Sequence, residues 1–236
     1  MTFTWASGSH RGRIRENNED AVYPEAGGRT DGGLVIAVAD GMGGHVGGEI
    51  ASRLAIGAIA TKPDLPIAQR VYYANELILR EAADRQSLRG MGTTLTAAEL
   101  TPRGSFVIAH VGDSRAYLFR TGSLEQITSD HSVVAEYLRS GSIRPEDVAT
   151  HPQRSMLTRA LGLDTEVEVD VVEGKLKEGD RLMVCSDGLT SMIADQRIAR
   201  NLSDGTPEEA VWTLIEAANQ AGGHDNISLV VVDVGP

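Results

Sequence analysis

Two rhythms of apolar and polar positions run along the chain. An unbroken apolar run of strand length covers residues 34–39 and stops at Asp40, and residues 180–187 repeat the theme with an apolar run that closes at Asp187; the β-rich run over 105–111 ends at Gly112. Runs of this kind, bounded by turn residues, predict strands buried on both faces. Residues 93–100, 116–120 and 227–233 are further β-rich segments. Weaker alternation predicts an edge strand over 2–8, a short strand with a glycine-rich hairpin over 21–31, and an exposed strand over 167–172, where acids alternate with valine. The other rhythm is helical. Ile67, Val71, Ala74, Ile78 and Ala82 recur at three- and four-residue steps, predicting an amphipathic helix over 67–87. Residues 50–61, 133–140, 195–201 and 206–221 complete the helical set, with Pro207 at a first-turn position.

One stretch organises the rest. The strand 34–39 stops at Asp40, which is followed by Gly41, Met42, Gly43 and Gly44 and then by a segment of helical composition. A carboxylate at the edge of a core must be hydrogen-bonded or paired with a cation. Two readings stand side by side: Asp40 caps the following helix, or it opens a cation site. No Gly-Lys-Ser/Thr follows, and the glycine spacing does not fit G-x-G-x-x-G, so neither common phosphate loop is present.

Charge narrows the function classes. The 236 residues carry 22 Lys and Arg against 33 Asp and Glu, a formal charge of −11. Such a surface argues against nucleic acid and anionic membrane as partners. No apolar stretch reaches the length of a membrane span, and the N-terminus lacks an apolar signal core, from which a cytoplasmic location is expected. A single cysteine, Cys185, makes no internal disulfide and reads as a buried strand residue. Ser191 stands where a C-x5-R phosphatase loop needs arginine. No linker, low-complexity tract or fixed repeat divides the chain, so residues 1–236 are expected to form one domain and, by default, a monomer.

The candidate chemistry lies at strand ends. Asp40, Asp113, Asp187 and Asp225 each sit at an end of an apolar run, three of them next to glycine. Four such acids, in a chain without a Cys/His ligand cluster, point to strands delivering carboxylates to one place, where cations hold them together. All-oxygen ligation selects Mg²⁺ or Mn²⁺ over zinc. Arg11, Arg13 and Arg15 precede Glu19 and Asp20, which reads either as a solvated charge run or as an anion clamp beside a cation site. Residues 129–154, with two prolines and few apolar positions after the helix, have the composition of a flap or of a plain connector. His131 and His151 are not at metal-ligand spacing to each other.

The ordered set of motifs resembles the PPM/PP2C family of metal-dependent protein serine/threonine phosphatases in its compact bacterial form. The set comprises Arg15 with Glu19-Asp20, Asp40-Gly41-Met42-Gly43-Gly44, Gly90-Met-Gly-Thr-Thr94, Gly112-Asp113-Ser114-Arg115, His151-Pro-Gln-Arg-Ser155, Asp187-Gly188 and Asp225-Asn226. The resemblance implies a four-layer α/β/β/α sandwich, an α+β fold with two antiparallel sheets between helices. It also implies two Mn²⁺ or Mg²⁺ ions and a third. Asp40 is expected to bridge two metals, the Gly41 carbonyl to complete the second, and Asp187 and Asp225 to hold the first. Asp113 is expected to hold the third with Asp187 and Ser155, and Asp20 to act through water. Arg15 is expected to grip the substrate phosphate, and attack on phosphoserine or phosphothreonine to come directly from a metal-bridging hydroxide. Met42 stands where eukaryotic members carry a histidine, which leaves His45 or a metal-bound water as the leaving-group acid. Phosphorylated proteins are the expected partners, with a Ser/Thr kinase and its substrates among them. The competing readings are a phosphopeptide-binding or regulatory module without turnover and a metal-dependent phosphodiesterase.

Overall fold

The computed structural model describes residues 1–236, the side chains of His45 and Ala149 excepted. Two six-stranded antiparallel sheets lie face to face. The first has the order β3-β1-β12-β11-β8-β9 and the second β10-β7-β6-β4-β2, with the short β5 paired to β4. Their ranges are β1 Thr2–His10, β2 Asp20–Tyr23, β3 Gly28–Thr30, β4 Leu34–Met42, β5 Gly92–Thr93, β6 Leu95–Leu100, β7 Ser105–Val111, β8 Arg115–Arg120, β9 Ser123–Gln126, β10 Asp170–Lys175, β11 Arg181–Cys185 and β12 Ile227–Gly235. The helices are α1 His45–Thr61, α2 Ile67–Asp84, α3 Val133–Arg139, α4 Asp187–Thr190, α5 Asp195–Leu202 and α6 Pro207–Gln220.

Three apolar clusters define the four layers. Phe3, Ile36, Val38, Ile108, Leu182, Val230 and Val232 fill the space between the sheets. The outer face of the second sheet meets α1 and α2 through Ala37, Ala39, Ala55, Ile59, Val71 and Ile78. The outer face of the first meets α5 and α6 through Met183, Cys185, Ile198, Val211, Leu214 and Val231. Strands buried on both faces therefore read as unbroken apolar runs, as β11 does.

Several sequence expectations need correcting. Residues 2–8 are not an edge strand: β1 runs to His10 and pairs with β12 along its whole length and with β3 on its other side. The hairpin expected over 21–31 does not form, because β2 joins the second sheet through β4 while β3 joins the first through β1. The strand expected over 167–172 lies three residues later, at Asp170–Lys175. Val167 and Val169 pack instead against the helical side of the second sheet. The helix expected from residue 50 begins at His45 and takes Gly47 and Gly48 into its first turns.

A candidate metal centre at one end of the two sheets

The acids arrive from five elements. Asp20 opens β2 and lies directly across from Asp40 of β4. Like charges in such a pair repel. Asp187 follows β11 and begins α4, Asp225 precedes β12, and Asp113 lies between β7 and β8. Because β11 and β12 are antiparallel neighbours, the end of one and the start of the other share an edge. The Gly112–Ser114 turn is not the hairpin its composition allows. It carries the chain from the second sheet to the first, since β7 pairs with β6 and β10 while β8 pairs with β11 and β9.

Backbone hydrogen bonds hold these acids in place. The Asp40 N–H donates to Thr94 Oγ1 at 3.1 Å, and its carbonyl accepts from the Thr94 N–H at 2.9 Å and from the Thr93 hydroxyl at 2.9 Å. The cap of α1 is Gly44, without a side-chain hydrogen bond, so the capping reading of Asp40 fails. Gly41 sits where a Cβ would run into the carbonyl oxygens of Gly48 and Glu19. The Asn226 side chain ties the 11–19 loop to the cleft: its amide donates to the carbonyls of Arg11 and Asn17 at 3.0 and 2.9 Å, and its oxygen accepts from the Glu19 N–H at 2.8 Å. Ser186 Oγ donates to Asp20 Oδ2 at 2.8 Å.

Behind Asp113 lies a buried histidine clasp. His131 Nδ1 accepts from the Gly112 N–H at 3.1 Å, and the His131 N–H donates to the Gly112 carbonyl at 2.7 Å. With Nδ1 accepting, the ring proton sits on Nε2, which faces Asp170 at 3.1 Å. The His131 carbonyl accepts from Thr158 N–H at 2.8 Å, joining the root of the 129–154 segment to the same turn. That segment carries α3, capped by the Ser132 hydroxyl, and a 3₁₀ helix over Pro145–Thr150. His131 and His151 do not meet at a common point. The rings of His131 and His110 are neighbours, 4.7 Å apart, and His151 packs edge-on to Tyr137.

The result is a cleft of about 300 Å³ lined by Arg15, Asp40, Gly41, Asp113, Asp187 and Asp225, with Ser155 at its wall. Burial, and then repulsion from its neighbours, raises the carboxyls. Asp113 is pushed up to about 8, first by burial and then by Asp187 and Asp130, against the pull of Arg115. Asp20 rises to about 7, again through burial, with Ser228 and Ser186 pulling the other way. Asp40 and Asp187 are raised by the same causes, and these two carboxyls lie within hydrogen-bond reach of each other.

Among the described residues, no three His, Cys, Asp or Glu side chains already stand in ligand geometry about one point. The chemistry of the cleft nevertheless fits a hard divalent cation. Every donor is oxygen, the glycine cradle brings the backbone in, and the buried Asp20 Oδ1 has no hydrogen-bond partner. The expected residues Arg15, Asp20, Asp40, Gly41, Asp113, Ser155, Asp187 and Asp225 are thus near one another. The side chain of His45 lies outside the described residues. The sequence offers Asn226 only as part of the Asp225-Asn226 motif, His131 only as a metal ligand at the wrong spacing, and Ser186 not at all. Their signal there is modest: a polar residue beside a strand-end aspartate.

Residues 7–213 match the protein phosphatase 2C family model. The serine/threonine protein phosphatase PstP of Mycobacterium tuberculosis is 40% identical over 242 residues, covering 99% of this chain and 45% of the relative. The chain therefore spans about half the length of that relative. The serine/threonine phosphatase stp of Listeria monocytogenes is 39% identical over 238 residues, covering 94% of this chain and 92% of the relative. The crystal structure of M. tuberculosis PstP superposes with a TM-score of 0.92 at 38% identity, covering 100% of both chains. The PstP catalytic domain in complex with two manganese ions superposes with a TM-score of 0.89 at 37% identity, covering 100% of this chain and 99% of that one. The chain belongs to the protein phosphatase 2C family.

Proposed function

We propose that this chain is a metal-dependent protein serine/threonine phosphatase whose residues 1–236 act as one catalytic domain. The observation that carries this reading is the gathering of Asp40, Asp113, Asp187 and Asp225 from both sheets into one cleft beside Arg15, with Asp20 buried directly across from Asp40. Asp40, the Gly41 carbonyl, Asp187 and Asp225 would hold two Mn²⁺ or Mg²⁺ ions, and Asp113, Asp187 and Ser155 a third. Asp20 would act through ordered water. When bound, such ions lower the pKa of water and neutralise charge on phosphoryl oxygens.

The protein's own groups supply the rest. The planar guanidinium of Arg15, half exposed at the mouth, is suited to grip phosphate oxygens with paired hydrogen bonds. Thr93 and Thr94 hold the Asp40 backbone still, and Asn226 fixes the loop that presents Arg15, so that little rearrangement is needed as the substrate docks. The departing serine or threonine oxygen needs a proton, which would come from His45, the first residue of α1 and next to the cleft-lining Gly44, or from a metal-bound water. Phosphorylated proteins are the proposed substrates, with a Ser/Thr kinase and its targets among them. No helix is long and apolar enough to cross a membrane among the described residues. A cytoplasmic monomer is the working picture.

The test is phosphate release from a phosphothreonine peptide with Mn²⁺ and with EDTA, for the wild type and Asp187→Asn. Release that requires metal and is lost in the variant supports the proposal. Release that survives EDTA removes the metal-dependent mechanism. Peptide binding without release at saturating Mn²⁺ favours a regulatory module.

A further inference from the structure

A second cavity, of about 800 Å³, opens where the two sheets and their helical layers meet. Its wall takes Ser7 from β1, Asp20 and Tyr23 from β2, Arg53 and Gly57 from α1, and Trp212 from α6. Asp20 lines this cavity and not the acidic cleft. Sites for small molecules commonly have volumes of about 300–1,000 Å³, with apolar walls and a few polar groups.

Three features of this wall have no use in holding the fold. Ser7 Oγ and Asp20 Oδ1 are buried without a hydrogen-bond partner, although Asp20 Oδ2 accepts from Ser186. A water occupies about 30 Å³, so satisfying two oxygens does not call for a cavity of this size. Trp212 is 49% exposed and belongs to none of the three apolar clusters. Gly57 lies in the interior of α1, where glycine is unfavourable relative to alanine, yet no atom within 4 Å excludes a Cβ there.

Charge selects the ligand class. The acids on the wall are Asp20 and Glu25. Its one basic residue, Arg53, is already paired with Glu49 at 2.9 Å. An anion therefore meets two acids without a free partner, whereas a cation meets acids and aromatic faces, both of which attract it.

We propose that this cavity binds a small aromatic amine, its ring packed on Trp212 and its ammonium held by Asp20 and the Ser7 hydroxyl. The ammonium supplies N–H donors to two oxygens that lack them, and the ring covers an aromatic side chain left open. Binding here requires no turnover at the cleft, so calorimetry tests it whether or not phosphate is released.

The experiment is isothermal titration of the full chain at saturating Mn²⁺ with phenethylamine, phenethyl alcohol and phenylacetate, which share the ring and differ in the head group. The amine should bind once per chain and about tenfold more tightly than the alcohol, with phenylacetate weakest. Gly57→Leu, which takes up cavity space, and Trp212→Ala, which removes the aromatic wall, should each weaken the amine about tenfold. Ser7→Ala should weaken it about fivefold and leave the unfolding midpoint unchanged, because the hydroxyl has no partner to lose. The unfolding midpoint also reports that the other two variants fold. No saturable binding of any compound, or an alcohol or carboxylate that binds as tightly as the amine, overturns the proposal. Amine binding that both Gly57→Leu and Trp212→Ala leave unchanged also overturns it, since the amine then sits elsewhere, the acidic cleft included.

Discussion

Arg15 Nη2 donates to Asp225 Oδ2 at 2.6 Å, while the other oxygen of Asp225 accepts from the Asn226 N–H at 2.8 Å. The proposed phosphate clamp and a proposed metal ligand are therefore partners. The pair is partly exposed, at 52% and 32%, so it contributes little to stability and separates at small cost. Its value lies in placing the guanidinium at the cleft. Arg15→Lys keeps the charge but loses the planar fork, and kcat/KM for a phosphopeptide is expected to fall about tenfold. Steady-state phosphate release measures this, and an unchanged KM and kcat would remove Arg15 from phosphate binding.

The raised carboxyls set a pH dependence. The folded pKa values of Asp20 and Asp113, about 7 and about 8, exceed the ordinary aspartate value of 3.8. Between those limits the folded state binds more protons than the unfolded one, so this contribution is fully present below the unfolded value and is lost as pH rises through the folded values. Metal binding requires the deprotonated acids and so strengthens over the same window. In EDTA, Tm is expected to fall from pH 6 to pH 8.5. The rise in Tm caused by Mn²⁺ should be larger at pH 8.5 than at pH 6. A Mn²⁺ effect of equal size at both pH values, by scanning calorimetry, counts against the carboxylate cluster as the binding site.

Asp187→Asn separates the structural cost of the cluster from its function. Asp187 is raised by burial and by Asp225, so neutralising it relieves repulsion in metal-free protein. In EDTA the variant should be at least as stable as the wild type, whereas the Mn²⁺-induced rise in Tm should largely disappear. Isothermal titration with Mn²⁺ gives a second readout, with a loss of affinity of about a hundredfold expected if a ligand has gone. Unchanged Mn²⁺ affinity would remove Asp187 from the metal ligands.

The His131 clasp is a structural prediction. His131 is 1% exposed, accepts from the Gly112 N–H and faces Asp170. His131→Ala leaves the buried Gly112 N–H without its acceptor and is expected to cost about 2 kcal/mol by urea unfolding. Asn, whose Oδ1 reaches the position of Nδ1, should recover part of the loss. Equal stability of the wild type and His131→Ala would show that the Gly112 turn holds without the clasp.

Gly41 tests the cradle. A Cβ there runs into the Gly48 and Glu19 carbonyls, and backbone cannot step aside as a flexible side chain can. Gly41→Ala is expected to destabilise by about 1–3 kcal/mol and to abolish Mn²⁺ binding, read by unfolding and titration. Full metal affinity in the variant would mean that the Gly41 backbone is not part of the site.

Local chemistry was legible from residue order. The buried strands β4 and β11 announce themselves as apolar runs, because burial on both faces removes the alternation of a half-exposed strand. Helix α6 reads almost to the residue, since Thr206 and Glu209 form a reciprocal capping box ahead of the apolar face. The strand-end aspartates and their glycines also stand out, since an acid closing an apolar run is unusual. Tertiary structure alone decided what those pieces do together. Pairing partners are long-range: β1 meets β12 across the whole chain, and β2 and β3, close in sequence, enter different sheets. Gly47 and Gly48 precede the helix expected from residue 50, yet lie within α1, and the close approach of Gly48 to Gly41 demands the absence of a side chain. The supports of the site, Asn226 on the 11–19 loop and His131 on Gly112, join residues 207 and 19 positions apart. Such contacts carry no local pattern; they exist because folding brings their partners to one place.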